Sequence, residues 1–208
     1  MGFKLYLITD RNLFADDYSL STAVVEALKA GVKAIQLREK GLGTRELLDM
    51  AYRMREITKK HKAKLFINDR VDVALAVGAD GVHLGQSSIP PSAVKKIAGN
   101  KLIIGASTHS IDEARQAEKS GADLITFGPV YRTPSKLKYG EPIGIDTFGK
   151  VKAEISIPVF AIGGINENRI KAVMDAGADG VALISGILGA VDIKSAAKNY
   201  IMRVNGDI

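Results

Sequence analysis

The sequence predicts a single-domain (β/α)8 TIM barrel, and three observations lead there. Short apolar runs alternate with helical patterns about eight times along the 208 residues. No two runs are joined by a two-residue hairpin signal, so neighbouring strands are expected to be parallel. A small-residue echo also recurs: AGVKAIQL from Ala30, VGADGVHLG from Val77, SGADLITFG from Ser120 and AGADGVALIS from Ala176. Successive copies stand roughly 50 residues apart, the length of two strand-helix units rather than one. Eight units in one chain favour a closed barrel over an open doubly wound sheet.

The elements follow in order. The first strand is read in KLYLITD (Lys4–Asp10), and STAVVEALKA after it has the spacing of a one-faced helix. The echo supplies the second strand in KAIQL, and TRELLDMAYRMREITKK the second helix. KLFIND (Lys64–Asp69), the GVHL of the second echo and LIIGAS (Leu102–Ser107) are strands three to five, with SIDEARQAEKS as the helix that follows. LITF, PVFAIGG (Pro158–Gly164) and GVAL complete the set. Gly31, Gly78, Gly121 and Gly177 each end a helical pattern, where the chain needs positive φ.

Composition narrows the function. A 46% hydrophobic chain of this length buries one substantial core, and no Pro/Ser-rich linker divides it. MGFKLYLITD is neither a secretory signal nor long enough to span a bilayer, so a cytoplasmic protein with no membrane partner is expected. With no cysteine there is no disulfide and no thiolate chemistry. A net charge of +6 and a pI of 9.4 permit anionic partners. Much of that charge lies in runs such as RMREITKKHKAK, read as a solvated helix face. With 6% aromatic residues, no Trp and no recognition motif, nucleic acid is not the expected partner.

Barrel enzymes collect their chemistry at the C-terminal ends of the strands, and there this chain turns polar. In an extended QLREK segment, Gln36, Arg38 and Lys40 share one face and Ile35 and Leu37 the other. Asn68, Asp69 and Arg70 end the third strand, Gly85 and Gln86 the fourth, and Ser107, Thr108 and His109 the fifth. Gly128 with VYRTPSK follows the sixth, Gly163-Gly164 the seventh and Ser185-Gly186 the eighth. Arg38 and Lys40 suit a polyanion, with Gln36 as a neutral donor. Asp69 is either their salt-bridge partner or an oxygen ligand for Mg²⁺, which one or two carboxylates and substrate phosphates can complete. The glycine pair and Ser185-Gly186 suit a phosphate held by backbone N–H groups, so two anion pockets face each other across the mouth. Glu39 reads as structural, His83 as core-lining and His61 as a surface residue. His109 is either a general acid-base group or a structural histidine.

Taken together, QLREK, FINDRVDVALAVGADGVHLGQ, IGASTHS, FGPVYRTPSK and IPVFAIGGI resemble the thiamine phosphate synthase family, including its thiazole tautomerase branch. The likeness runs from LYLITDR to GVALISGIL. It implies a (β/α)8 barrel that condenses hydroxymethylpyrimidine pyrophosphate with a thiazole phosphate, releasing pyrophosphate. It implies that Gln36, Arg38, Lys40 and Asn68 hold the pyrimidine pyrophosphate, with Mg²⁺ on Asp69. Ser107 and Lys136, with Lys40, would act on the departing pyrophosphate, and Thr133, Ser135, Gly164, Ile184 and Ser185 would hold the thiazole phosphate. One departure stands out: GQSSIPP places Ser88 where synthases usually carry the aspartate that is a second Mg²⁺ ligand. STHS and TPSKLKYGEPIG resemble the tautomerase branch, in which the histidine matching His109 moves a proton. That branch often lacks the carboxylate of Asp69, which this chain keeps together with Lys40. A synthase acting on two phosphorylated small molecules is therefore expected, possible as a homo-oligomer, with a tautomerase or a non-catalytic binder of thiamine intermediates as the alternatives.

Overall fold

A computed structural model describes residues 1–133 and 141–208. Eight parallel strands close on themselves in sequence order: β1 (Leu5–Ile8), β2 (Ala34–Leu37), β3 (Lys64–Asn68), β4 (Gly81–Leu84), β5 (Ile103–Thr108), β6 (Leu124–Phe127), β7 (Val159–Ile162) and β8 (Gly180–Leu183). The seam is a β1–β8 pairing in which Tyr6 lies opposite Ala182. Around the barrel run α1 (Asp17–Lys29), α2 (Thr44–Lys60), α3 (Val71–Ala76), α4 (Pro91–Ala98), α5 (Ile111–Lys119), α6 (Ile145–Glu154), α7 (Glu167–Asp175), a short α8 (Ser185–Leu188) and α9 (Ile193–Asn205). The barrel predicted from sequence is the barrel observed.

Local chemistry starts the helices where the sequence permits. Asp16, Ser110 and Asp192 accept hydrogen bonds from the third N–H of α1, α5 and α9, and Pro91 opens α4 with no donor to waste. The echo glycines end four units at φ of 112°, 61°, 93° and 91° for Gly31, Gly78, Gly121 and Gly177.

The echo's aspartates have a structural task that the sequence did not reveal. Asp80 accepts from Leu65 N at 2.8 Å, Asp123 from Ile104 N at 2.7 Å and Asp179 from Val159 N at 2.8 Å. Each carboxylate, at the start of an even-numbered strand, thus satisfies a donor at the lower end of the strand before it. Arg55 on α2 and Lys152 on α6 neutralise Asp80 and Asp179. Lys33 fills the corresponding place in the first copy.

Strand alternation divides the core into two. Leu7, Ile35, Leu37, Leu65, Ile67 and Val82 face outward and pack beneath the helices, while Tyr6, Ala34, Phe66, Leu124, Phe160 and Ala182 fill the barrel. Phe3 plugs the lower end, its ring 5.3 Å from that of Phe160 and 6.0 Å from that of Phe66. Large inward rings are accommodated by glycines on the next strand. A Cβ at Gly81 would lie 2.5 Å from the Phe66 ring, and one at Gly180 would lie 2.5 Å from Phe160. The floor is therefore closed, and polar inward positions remain only toward the C-terminal end.

Candidate active site

The first half of the mouth is built by β2, β3 and β4. Gln36 is one inward step above Ala34, is buried, and donates its amide to Asn68 Oδ1 at 3.5 Å. Asn68 in turn donates to Asp69 Oδ2 at 2.8 Å. Asp69 leaves the strand at φ 61°, a left-handed conformation that Asp tolerates better than most residues. Its Oδ1 accepts from Gly85 N at 3.1 Å and from the Ser88 hydroxyl, which itself accepts from Gly85 N at 2.7 Å. Among the described residues Asp69 has no cationic partner, so a salt bridge to Arg38 or Lys40 is not formed. Arg70 pairs with Asp72 instead.

Arg38 is half-buried and Lys40 exposed. Neither side chain forms an ion pair among the described residues. The residue between them anchors the backbone there. Glu39 is buried, accepting from Thr9 Oγ1 at 2.5 Å and Arg11 N at 3.0 Å, while Thr9 Oγ1 accepts from Arg38 N at 3.0 Å. Burial pushes the Glu39 carboxyl up, an effect opposed by its bonds to Thr9 and Arg11 N. Glu39 is structural, as expected, and it ties the β1 and β2 loops together.

On β5, Ser107 Oγ lies 3.1 Å from His83 Nε2, and Gln86 Nε2 donates to Ser107 O. His83 is buried, as its core-lining reading requires, but within the barrel rather than beneath the helices. Desolvation lowers its pKa from 6.5 to about 4, against the opposing pull of Asp69 and with a smaller push from Arg38. His109, at the top of β5, is half-exposed and faces α5: its backbone N donates to Glu113 Oε2 at 2.6 Å, and its Nδ1 lies 3.2 Å from the same oxygen.

The second half is built by the β6, β7 and β8 loops. Gly163 and Gly164 have φ of 95° and 64°, and a Cβ on either would run into Pro129 or into Tyr131 and Arg132. The close approach lets Tyr131 N bond Gly163 O at 3.1 Å. Arg169 locks the pair from α7, donating to Gly164 O at 2.6 Å with its guanidinium 4.6 Å from the Tyr131 ring centre. The glycine pair thus holds the loop that leads to Thr133. Ile184 and Ser185 open α8, whose first N–H groups have no intrahelical acceptor. Gly186 makes room for Tyr200, whose hydroxyl would lie 2.8 Å from an added Cβ. Ser135 and Lys136 lie outside the described residues.

The barrel thus brings Gln36, Arg38, Lys40, Asn68, Asp69, Ser88 and Ser107 to the ends of adjacent strands, β2 to β5, and Thr133, Gly164, Ile184 and Ser185 to the ends of β6 to β8. Residues not singled out from sequence are Tyr6, Thr9 and Thr126. Inward alternation on β1 and β6 would have flagged Tyr6 and Thr126, but nothing local marks their partners.

The sequence profile of the family described as thiamine monophosphate synthase matches residues 5–187. The thiamine-phosphate synthase of Clostridium novyi is 44% identical over 95% of this chain and 97% of its own length. That of Halalkalibacterium halodurans is 47% identical over 95% and 93%. Among solved structures, thiamine phosphate pyrophosphorylase from Pyrococcus furiosus superimposes with a TM-score of 0.89 at 43% identity, covering 98% of this chain and 96% of that one. With the barrel and these relatives in agreement, the chain belongs to the thiamine monophosphate synthase family.

Proposed function

We propose that the chain joins hydroxymethylpyrimidine pyrophosphate to a thiazole phosphate, forming thiamine phosphate and releasing pyrophosphate. One observation carries the reading: two cations with no ion-pair partner among the described residues, Arg38 and Lys40, follow the strand next to that of a carboxylate, Asp69, that is held by neutral donors. Such a rim attracts a polyanion and a hard cation together. Gln36, Arg38, Lys40 and Asn68 hold the pyrimidine pyrophosphate. Thr133, Ser135, Gly164, Ile184 and Ser185 hold the thiazole phosphate across the mouth.

Asp69 fits a magnesium ion of the kind completed by substrate oxygens and water. Its oxygens accept from Asn68, Gly85 and Ser88, leaving acceptor capacity free on a carboxylate with about four lone-pair sites. Ser88 donates its proton to Asp69 and keeps a lone pair for the same cation. Bound there, Mg²⁺ would neutralise charge on the pyrophosphate. The carbon–oxygen bond to pyrophosphate breaks with its electron pair leaving on oxygen, and the thiazole nitrogen lone pair closes on the pyrimidine methylene cation. The protein's contribution is positioning and charge neutralisation, with Ser107, Lys40 and Lys136 as donors to the leaving group.

Purified protein incubated with both substrates and Mg²⁺ is expected to produce thiamine phosphate over many turnovers, and Asp69→Ala to lower kcat by about a hundredfold. Absence of product over many enzyme equivalents overturns the reading. The pairing of His109 with Glu113 keeps the isomerase as a second reading. Interconversion of thiazole tautomers that disappears in His109→Ala would move the assignment to it.

A further inference from the structure

We propose that His83 is a positioning residue which, as its Nε2–H tautomer, donates to Ser107 and thereby turns the Ser107 hydroxyl proton outward as a donor to the substrate pyrophosphate. The inference rests on the synthase reading for the identity of that ligand. Four contacts define the histidine. Nδ1 lies 3.5 Å from Tyr6 Oη, while Nε2 lies 3.1 Å from Ser107 Oγ and 3.4 Å from Thr126 Oγ1. The ring is seated against Gly105, where a Cβ would come within 2.5 Å of Nδ1. No side chain larger than hydrogen at position 105 leaves it that place.

The tautomer follows from the surroundings. A neutral imidazole has one donor and one acceptor nitrogen. Tyr6 is wholly buried and burial raises its pKa, so its phenol is protonated at neutral pH and must donate. Among the described residues its one hydrogen-bond partner is His83 Nδ1. Nδ1 is therefore the acceptor and Nε2 carries the hydrogen, with two hydroxyl oxygens in reach. A serine that accepts from Nε2–H has its own proton free, and at the top of β5 that proton points to the mouth. The opposite tautomer would leave the Tyr6 proton without an acceptor and would absorb the Ser107 proton into the barrel.

Long-range ¹H–¹⁵N correlation of protein labelled in its three histidines, assigned by the signals missing in His83→Gln, is expected to show His83 protonated on Nε2. Calorimetry with inorganic pyrophosphate and Mg²⁺ supplies the second arm. His83→Met, which has no donor, should weaken binding about tenfold, and His83→Gln, which can donate from a similar position, should recover most of it. In a Ser107→Ala background, His83→Met should add no further loss, and kcat should follow the same pattern. An Nδ1–H signature, equal losses in both backgrounds, or a Gln variant as weak as Met would each overturn the proposal. If the variants fail to fold, the tautomer of the native protein decides. If the native protein makes no thiamine phosphate, the synthase reading fails while the spectroscopic and pyrophosphate measurements still decide the role of His83.

Discussion

Asp69 and His83 show how a neighbouring backbone and a buried ring set a side chain's chemistry. Asp69 sits at positive φ with three donors on its oxygens, so its carboxylate is oriented before any ligand arrives. Ser88→Ala removes one of those donors. The Mg²⁺ concentration needed for half-maximal activity should rise several-fold, whereas Ser88→Asp, which adds an oxygen ligand, should lower it; both are read by metal titration of the initial rate. The His83 imidazole responds to pH in a definite direction. Its folded pKa is about 4 against an ordinary 6.5, so as the pH falls through this interval the unfolded chain binds a proton that the native protein refuses. Stability is therefore intact above 6.5 and declines toward 4, by about 3 kcal/mol in total from this group. Asp69 and Arg38 are the charges that act on the ring, with opposite signs. Urea unfolding at pH 7 and pH 4 should show a smaller acid loss in His83→Gln than in the native protein.

At the scale of elements, side chains supplement the ladder in tying some strands to the next. Asp80 satisfies Leu65 N and pairs with Arg55, so β3, β4 and α2 share one carboxylate. Asp80→Ala leaves a strand-end N–H and a largely buried guanidinium without that partner, and should destabilise the fold by about 1–3 kcal/mol in chemical denaturation. Inside the barrel the tolerance is steric. A methyl group at Gly81 would meet the Phe66 ring and Ile103 O, both at 2.5 Å. Gly81→Ala should cost about 1–3 kcal/mol, lowering Tm by about 2–4 °C for each kcal/mol in a chain of this size. The Gly163-Gly164 turn combines both demands, positive φ and close approach, which is why the loop carrying Thr133 can lie beside β7. No single local propensity would have placed it there.

Over the whole molecule, the barrel separates stability from chemistry. Phe3, Tyr6, Phe66 and Phe160 close the lower end, and the polar groups gather at the other. Arg38 and Lys40 are part-exposed, so the attraction proposed between them and a pyrophosphate would work through solvent and be screened over about 10 Å at 0.1 M salt. KM for the pyrimidine pyrophosphate should accordingly rise several-fold between low and 0.5 M ionic strength, with kcat changing less. The same overall charge of +6 is spread over helix faces that already contain ion pairs such as Lys29–Glu26 and Lys171–Asp175. No helix among the described residues is long and apolar enough to cross a membrane.

Sequence alone determined the barrel and one rim of its site, because both depend on patterns that repeat locally. Alternation in the strands placed Gln36 inside and Leu37 outside, and the recurring Gly-Ala-Asp counted the units two at a time. Gly31, Gly78, Gly121 and Gly177 were legible for the same reason: positive φ after a helix is a demand of the adjacent backbone. Tertiary structure decided which polar groups meet. Tyr6 and His83 are 77 residues apart, Thr126 and His83 are 43 apart, and Thr9 and Glu39 are 30 apart. Pairing of β1 with β2 brings Thr9 to Glu39, and curling of the sheet into a barrel brings Tyr6 and Thr126 to His83 across intervening strands. Adjacent strand pairing also gave the echo's aspartates their backbone partners and turned a histidine with the appearance of core packing toward Ser107. A hydrogen bond needs both partners within a few tenths of an ångström, and that coincidence is written in the closed geometry rather than in any stretch of chain.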